Sequence, residues 1–473
     1  MIRLFMPLLA LAMGSCAVTA PPHSRDGGRT LPNIVILLAD DLGYGDLGSQ
    51  GGRDVRTPNL DRLASEGVRL TDFYSNHPVC APSRAALLTG KYQHRFGFEN
   101  NSPMDARNGN GLPEAEIILA QRLKERGYAT GMIGKWHLGF APHQSPVAKG
   151  FDTFYGLLGG AMAFVPSGAS GSKTVIRGRT PEPMPAHLTE GFGAEAVSFI
   201  EANKHQPFLL YVPFTAVHAP LQTTDAYLAR FANVADPQRR TYLAMLAAMD
   251  DAVGGIIAAI DKNGLGRHTL IMFSSDNGGP TWQTTSANGP LNGAKALLLE
   301  GGIRVPTILR WTGHLPAGSV HEFPAMAFDL TATALAAVGA SRDGLDGQNL
   351  LPHLNGESSL PPHDQLFWRA ASQGAMREGD WKLLKVGNDS YLFNLRTDVG
   401  ETRDLAATDP QRLARMEEVF RNWSNQMRPP AWGRTVEEEA ATGRVAELKD
   451  LVDDMIAGRP TNPRDLLYGG GPE

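Results

Sequence analysis

One short segment of this sequence gathers side chains that could do chemistry around one of only two cysteines in the chain. Residues 76–90 read NHPVCAPSRAALLTG, which places Arg84 one helical turn after Cys80. The structural alternative is a buried cysteine ahead of a helix, since cysteine is among the most buried residue types. Pro82 and Ser83 would suit the first turn of that helix. Other motifs in the sequence are needed to distinguish a reactive cysteine from one that is only buried.

Two pairs of hard oxygen ligands follow apolar runs that are typical of buried strands. Asp40 and Asp41 come directly after one run, Asp276 and Asn277 follow another, and a glycine comes soon after each pair. Such residues commonly cap helices or form turns. Carboxylate and amide oxygens are also the ligands that Ca²⁺ and Mg²⁺ prefer, and ligands bind at the carboxyl ends of strands in α/β sheets. The two pairs therefore predict a divalent metal site.

Two lysines and two histidines complete the candidate set. Lys135 and His137 lie in the segment GKWHLG, His218 follows another apolar run, and Lys295 precedes the segment EGGIRVP at 300–306. Taken singly, a lysine is usually solvated and a histidine usually structural. Taken together with the carboxylates, they suit a site that neutralises an anionic reaction centre.

These segments together resemble the signatures of the type I, formylglycine-dependent sulfatases, which belong to the alkaline phosphatase superfamily. The likeness covers CAPSR at 80–84 with the LTG that follows, GKWHLG at 134–139 and EGGIRVP at 300–306. It runs from Asn33 to about Pro306, with weaker likeness through Leu405. The sequence is similar in particular to exported bacterial carbohydrate sulfatases and arylsulfatases. Every catalytic position expected from the family is filled in the expected order.

The resemblance implies how the nucleophile is formed and which residues bind the metal. In the family, a maturase oxidises the cysteine to Cα-formylglycine, and the hydrate of this aldehyde is the nucleophile. The ion is usually Ca²⁺, with Mg²⁺ as the alternative. The implied metal ligands are Asp40, Asp41, Cys80 in its converted form, Asp276 and Asn277.

The resemblance also implies a catalytic set, which consists of Cys80, Arg84, Lys135, His137, His218 and Lys295. One hydroxyl of the hydrate attacks sulfur, and His218 donates a proton to the leaving oxygen. His137 then takes the proton of the second hydroxyl as the aldehyde reforms and sulfate leaves. The two lysines hold the sulfate oxygens, and Arg84 holds the hydrate. His77, His94, Arg95 and His143 lie near these motifs and are as compatible with structural roles as with substrate contacts.

The function that the resemblance implies is sulfate ester hydrolysis on a sulfated carbohydrate, an oligosaccharide or polysaccharide. One alternative is a formylglycine-dependent phosphonate or phosphate ester hydrolase of the same superfamily. Another is a binder of sulfated glycans with an unmodified Cys80, against which the complete catalytic set argues. Comparing the turnover of aryl sulfate and aryl phosphonate esters distinguishes a sulfatase from a phosphonate or phosphate ester hydrolase. The chemical state of Cys80 tests whether the protein is only a binder of sulfated glycans.

The elements that must position these residues follow an α/β pattern. Apolar runs over 33–39, 128–133, 207–212 and 269–274 alternate with amphipathic stretches over 116–126, 192–204 and 242–260, and residues 68–74 are expected to form a further strand. This predicts a large mixed, mostly parallel sheet flanked by helices, as in alkaline phosphatase-like folds. Short strands after Pro361 and a helix over 409–427 predict a smaller α+β subdomain with an antiparallel sheet.

Domain boundaries follow from these patterns. A catalytic domain is expected over 31–360, the subdomain over 361–432, and a C-terminal segment over 433–473 that consists of one charged helix over 436–456 and a loose tail. Residues 21–30 are polar and glycine-rich, which predicts a linker.

Residues 1–20 are typical of an export signal, because Arg3 precedes an apolar run too short to span a bilayer. Gly14-Ser15-Cys16 resembles a lipoprotein box, which would anchor the chain to a membrane through lipidated Cys16. Ordinary cleavage after Ala20 is the alternative. We therefore expect a periplasmic protein or a lipoprotein of the outer membrane or cell surface. The net charge of −5 gives no reason to expect nucleic acid as a partner.

Overall fold

The computed structural model describes residues 25–26, 29–101, 109–168, 171–434, 436–461 and 463. The predicted export signal, with Cys16, lies outside these residues. The strands of the described chain are β1 Arg25–Asp26, β2 Arg29–Thr30, β3 Asn33–Ala39, β4 Val68–Leu70, β5 Phe73–Tyr74, β6 Ala129–Lys135, β7 Thr153–Leu157, β8 Thr174–Arg177, β9 Thr180–Pro183, β10 Phe208–Pro213, β11 Thr269–Ser275, β12 Thr307–Arg310, β13 Ser319–His321, β14 Ala325–Met326, β15 Gln365–Ala370, β16 Gln373–Glu378, β17 Trp381–Val386 and β18 Asp389–Asn394.

The helices lie between these strands and after the last of them. They are α1 Pro58–Glu66, α2 Cys80–Thr89, α3 Leu119–Lys124, α4 Leu188–Asn203, α5 Asp225–Ala229, α6 Pro237–Lys262, α7 Thr281–Thr284, α8 Glu300–Ile303, α9 Phe328–Ala337, α10 Leu351–Leu354, α11 Pro410–Ser424, α12 Val436–Ala441 and α13 Arg444–Ile456.

A ten-stranded sheet forms the centre of the molecule, in the order β13-β4-β12-β11-β3-β10-β6-β7-β8-β9. The five middle strands, from β11 to β7, are parallel to one another, whereas β12, β8 and β9 run antiparallel to their neighbours. β3 and β11 are buried along their whole length, as continuous apolar runs in a covered parallel sheet should be. The predicted mixed, mostly parallel sheet is confirmed.

Helices cover both faces of this sheet. One core packs α1, α4 and α6 against it, and a second core packs α2, α3 and α9 on the opposite face. By length and composition alone α6 could cross a membrane, with a mean hydropathy of 1.8, but 72% of that stretch is buried inside the protein. Its apolar character is explained by its place between the sheet and the neighbouring helices.

A four-stranded antiparallel sheet, in the order β15-β16-β17-β18, forms the predicted C-terminal α+β part. Its core includes residues 297–299, which closely follow Lys295. Buried Lys382 donates to Glu300 at 2.9 Å and pairs with Glu401 at 2.8 Å. Burial opposes ionisation of Glu300, but the charge of Lys382 and of nearby arginines outweighs it and lowers the pKa of Glu300 to about 2. This ion pair fastens the C-terminal sheet to the segment that carries Lys295.

Three local expectations differ from the structure. The predicted linker over 21–30 contains a short antiparallel pair, β1 with β2. The strand expected over 68–74 is divided into β4 and β5, which pair in different sheets. The single charged helix expected over 436–456 is two helices, because Gly443 takes the left-handed conformation at φ +78° and turns the chain between them.

Candidate active site

The two oxygen pairs lie side by side at the carboxyl edge of the central sheet. β11 pairs in parallel with β3, with Ser275 opposite Ala39, so the residues that follow both strands emerge together. The backbone N–H of Asp41 donates to Asp276 Oδ1 at 3.3 Å, and Asn277 Nδ2 donates to Asp41 Oδ1 at 2.7 Å. The predicted juxtaposition of the two pairs is therefore present.

Helix α2 begins at Cys80 and brings it to the same edge. Cys80 is 1% exposed, and its Sγ lies 3.4 Å from Asp40 Oδ1. Burial, followed by the negative charge of Asp276, raises the pKa of the Cys80 thiol well above its usual value. The unmodified side chain is thus a protonated thiol, which is a poor nucleophile.

Arg84 projects from the next turn of α2 into the carboxylates. Its guanidinium contacts Asp276 Oδ2 at 2.7 Å and Asp40 Oδ2 at 3.6 Å, and it donates to the carbonyl of Lys135 at 2.9 Å. All of these side chains are fully buried. The arginine links α2 with the ends of β3, β6 and β11.

Lys135, the last residue of β6, points at the same carboxylates. Its Nζ lies 2.7 Å from Asp40 Oδ2. Burial disfavours the ionised Asp40, but the charge of Lys135 and further nearby cations overcome it and hold the pKa of Asp40 far below its usual range. Asp40 is therefore ionised and in contact with a fixed cation.

His137 follows Lys135 with its backbone at φ +60°, an uncommon conformation for a residue other than glycine. Its ring packs so closely on Gly160 that a Cβ there would come within 2.8 Å. Burial, and then the positive charge of Lys135, lower the pKa of His137 well below the usual value. The imidazole is neutral and can accept a proton.

His218 and Lys295 both lie beside Asp41. Lys295 Nζ lies 2.9 Å from Asp41 Oδ2 and 3.2 Å from His218 Nε2. His218 Nδ1 lies 2.6 Å from the carbonyl oxygen of Ala219, so Nδ1 carries a proton and donates it to this carbonyl. The Nε2 of His218 therefore faces the site and is the nitrogen available for proton exchange.

The turn that follows β11 needs glycine where it meets α8. A Cβ on Gly278 would lie 1.8 Å from the carbonyl oxygen of Gly301. The two glycines of the EGGIRVP segment are required for the same reason, because a Cβ on Gly301 would lie 2.4 Å from the carbonyl oxygen of Gly293 and one on Gly302 would lie 2.0 Å from that of Leu297.

The donor set suits a hard divalent cation. Ligand atoms of Asp40, Asp41, Cys80 and His218 all lie within 4.8 Å of one another. The Oδ1 of Asn277 is buried and accepts no hydrogen bond from any described residue. Burial and the charge of Asp40 raise the pKa of Asp276 to about 6, a penalty that a bound cation would remove.

The structure brings together every predicted site residue. Of the predicted metal ligands, Asp40, Asp41 and Cys80 have ligand atoms within 4.8 Å of one another together with His218. Asp276 and Asn277 adjoin this group through their hydrogen bonds with Asp41. Asp276 and Asn277 lie at the end of a strand adjacent to β3, which is the signal that pointed to them. Nothing in the sequence pattern indicated that His218 would lie among the oxygen ligands.

Comparison with known proteins agrees with this geometry. The sulfatase family model matches residues 32–340. N-acetylgalactosamine-6-sulfatase of Sus scrofa is 36% identical over 402 residues, which are 79% of this chain and 74% of that protein. Arylsulfatase D of Homo sapiens is 35% identical over 439 residues, which are 74% of this chain and 73% of that protein.

A solved structure extends the likeness to three dimensions. Ps i-CgsB, in complex with k-i-k-neocarrahexaose, has a TM-score of 0.80 and 34% sequence identity, covering 89% of this chain and 98% of its own. The chain belongs to the sulfatase family. It is a sulfatase, an enzyme that hydrolyses sulfate esters.

Proposed function

We propose that this sulfatase removes sulfate from a sulfated carbohydrate, with formylglycine at position 80 and a divalent cation, Ca²⁺ or Mg²⁺, beside it. The observation that carries the proposal is the position of Cys80, buried 3.4 Å from Asp40 among oxygen ligands and fixed cations. A protonated thiol is a poor nucleophile at this position, whereas an aldehyde hydrate would offer a hydroxyl that can attack sulfur. The relatives named above support the choice of a carbohydrate as substrate.

Formylglycine supplies a nucleophilic hydroxyl, and the cation, held by Asp40, Asp41, Asp276 and Asn277, would polarise a sulfate oxygen. The side chains around them provide the rest of the reaction.

Lys135, in contact with Asp40, and Lys295, in contact with Asp41, neutralise charge on the sulfate oxygens. In its imidazolium form, with Nδ1–H held by the carbonyl of Ala219, His218 donates the Nε2 proton to the leaving sugar oxygen, because an alkoxide is a poor leaving group. Neutral His137 accepts the proton that is released when the sulfate departs. Arg84 orients the nucleophile and compensates the buried carboxylates.

An assay with defined substrates tests the proposed function. The panel contains N-acetylgalactosamine 6-sulfate, k-i-k-neocarrahexaose and matched 4-nitrophenyl sulfate and phosphonate esters. We expect sulfate release from at least one saccharide and a higher kcat/KM for the aryl sulfate than for the aryl phosphonate. Preference for the phosphonate would identify a phosphonate ester hydrolase instead. Hydrolysis of the aryl sulfate without any saccharide turnover would contradict the carbohydrate assignment.

Calcium should stabilise the folded protein as well as activate it. A ligand that binds only the native state stabilises it by about 2.7 kcal/mol at one hundred times its Kd. We expect Ca²⁺ to raise the melting temperature of the chelator-treated enzyme and to restore its turnover. Asp276→Asn should abolish this rise.

Asp251→Asn is the matched control, because Asp251 lies in an exposed pair with Arg230. This variant should respond to Ca²⁺ like the wild type. Full activity after exhaustive chelation in metal-free buffer would exclude a required cation.

The cellular context is part of the proposal. We propose that the chain is exported to the periplasm or the outer surface, that Cys16 carries a lipid anchor, and that a formylglycine-generating maturase converts Cys80. The motif Gly14-Ser15-Cys16 after a short apolar run and the CAPSR segment are the observations that support these points.

The anchor leads to a simple expectation. Cys16→Ser should move the protein from the membrane fraction to the soluble fraction, because a lipidated chain buries its acyl groups in the bilayer. Fractionation of cells followed by immunoblotting measures this. A wild-type protein already found in the soluble periplasm or medium would favour ordinary cleavage after Ala20.

A further inference from the structure

A cavity of about 160 Å³ lies directly beside the active site. Val79 and Ala296 line it, and they are the chain neighbours of Cys80 and Lys295. The N–H of Ala296 donates to the carbonyl of Pro78 at 2.8 Å, which joins the two lining segments. Since neighbouring Cα atoms are about 3.8 Å apart, one layer of backbone belongs to both the cavity and the active site. The volume far exceeds the roughly 10–15 Å³ that one water needs.

The C-terminal part of the chain forms the opposite wall. Ser372 lies in the turn between β15 and β16, and its N–H donates to Glu439 Oε2 of α12 at 3.3 Å. Arg444 of α13 lies 3.7 Å from Glu439, and Leu448 extends the wall. The cavity is therefore lined jointly by loops of the catalytic domain at 77–79 and 296 and by the C-terminal sheet and helices.

Two side chains of this cavity have unsatisfied polar atoms. His77 is 2% exposed, and neither ring nitrogen has a hydrogen-bond partner among the described residues. The Oγ of Ser372, which is 6% exposed, has none there either. Buried polar groups almost always have a hydrogen-bond partner, so a partner from outside the chain is expected. Burial lowers the pKa of His77 well below its usual value, so the neutral ring offers one donor and one acceptor.

The backbone around the cavity is strained in the way that functional sites are. Ala296 and Ala371 both line it, with φ of +71° and +50°. Left-handed backbone is unfavourable at residues other than glycine and persists where the surroundings enforce it. Asp41 and His137 in the active site share this conformation. Alanine has the smallest side chain that carries a Cβ, so both residues leave the cavity open.

The charges in the cavity indicate an uncharged ligand. Glu99 is held by Arg369 at 2.5 and 3.0 Å. Among the described residues that line the cavity, Arg444 is the only cation, and it faces Glu439. These lining residues therefore provide no unpaired positive charge for a second sulfate. Pro78, Val79 and Leu448 supply apolar surface beside the hydrogen-bonding groups, a combination that suits the faces and hydroxyls of a sugar ring.

We propose that this cavity binds an uncharged sugar ring of the substrate, with His77 and Ser372 as its hydrogen-bonding residues and α12 and α13 as its outer wall. The inference rests on the proposed function and deepens it, because it assigns saccharide selection to the turn at 371–372 and to the two last helices. A site built to bond a hydroxyl discriminates strongly against ligands that lack one.

Substitution of Ser372 tests the assignment. Ser372→Leu fills the cavity, and Ser372→Ala removes only the hydroxyl, which keeps the test valid if the larger side chain prevents folding. We measure kcat/KM for the panel saccharide that the wild type hydrolyses fastest and for 4-nitrophenyl sulfate, which has no sugar. The saccharide-to-aryl ratio should fall at least ten-fold in Ser372→Leu and about three-fold in Ser372→Ala. Ser198→Leu, on the exposed face of α4, is the control and should keep the wild-type ratio.

The possible results separate the two proposals. An equal loss on both substrates, or no loss on either, would contradict the sugar site while leaving the proposed function intact. A wild type that hydrolyses the aryl sulfate but no saccharide would contradict the proposed function, and the sugar site with it.

Discussion

Cys80→Ala should abolish multiple turnover and leave the protein folded and able to bind calcium. The variant loses the only side chain at the site that can become formylglycine, so kcat should fall by at least about 10⁴-fold, as for other covalent nucleophiles. Only one sulfur atom is removed from a buried position. The melting temperature should therefore shift by about 4 °C or less, as expected for about 1 kcal/mol in a large domain.

Cys80→Ser separates the first chemical step from the second. A plain hydroxyl can still attack sulfur, but it has no second oxygen through which the sulfate could be expelled. We expect a stable sulfate ester on the introduced hydroxyl that intact-protein mass spectrometry detects, with little further turnover. Near wild-type multiple turnover by pure Cys80→Ala would refute the covalent mechanism proposed above.

His218→Gln should slow carbohydrate sulfates by about 10²–10⁴-fold, the usual contribution of a general acid. The Nε2 of His218 faces the site beside Lys295, and a sugar alkoxide needs its proton to leave. A nitrophenolate is stable without one, so 4-nitrophenyl sulfate should lose less than about ten-fold. Parallel measurement of kcat on the two substrates gives the result.

His268→Gln is the matched control, since His268 is exposed in the turn before β11. It should leave both substrates at wild-type rates. The calcium-induced rise in melting temperature should persist in His218→Gln. Loss of that rise, or an equal loss on both substrates, would assign His218 to metal binding and not to proton donation.

The strands that carry the active site could be predicted, because the sequence pattern that produces them is local. Continuous apolar runs formed β3 and β11, and polar residues directly after them had to emerge at one edge of the sheet. The resemblance then supplied Cys80 and Lys135, whose segments lie on the elements expected for them. The roles of the individual residues stay predictions until the variants are measured.

Features that depend on distant segments could not be predicted. Nothing local to Lys382 indicates that it pairs with Glu300, 82 positions earlier, because both are ordinary charged residues in sequence. Ser372 and Arg444 likewise become neighbours of His77 only through packing of the C-terminal sheet and helices. The division between α12 and α13 was missed because a left-handed Gly443 interrupts a sequence whose composition favours one helix.

The chemical state of Cys80 tests the central claim most directly. The protein, purified from cells that contain a formylglycine-generating maturase, is digested, and the peptide that carries position 80 is analysed by mass spectrometry. The account predicts an aldehyde that reacts with a hydrazide probe and is absent from Cys80→Ala. A peptide with an intact, alkylatable thiol in protein that nevertheless hydrolyses sulfate esters would contradict it.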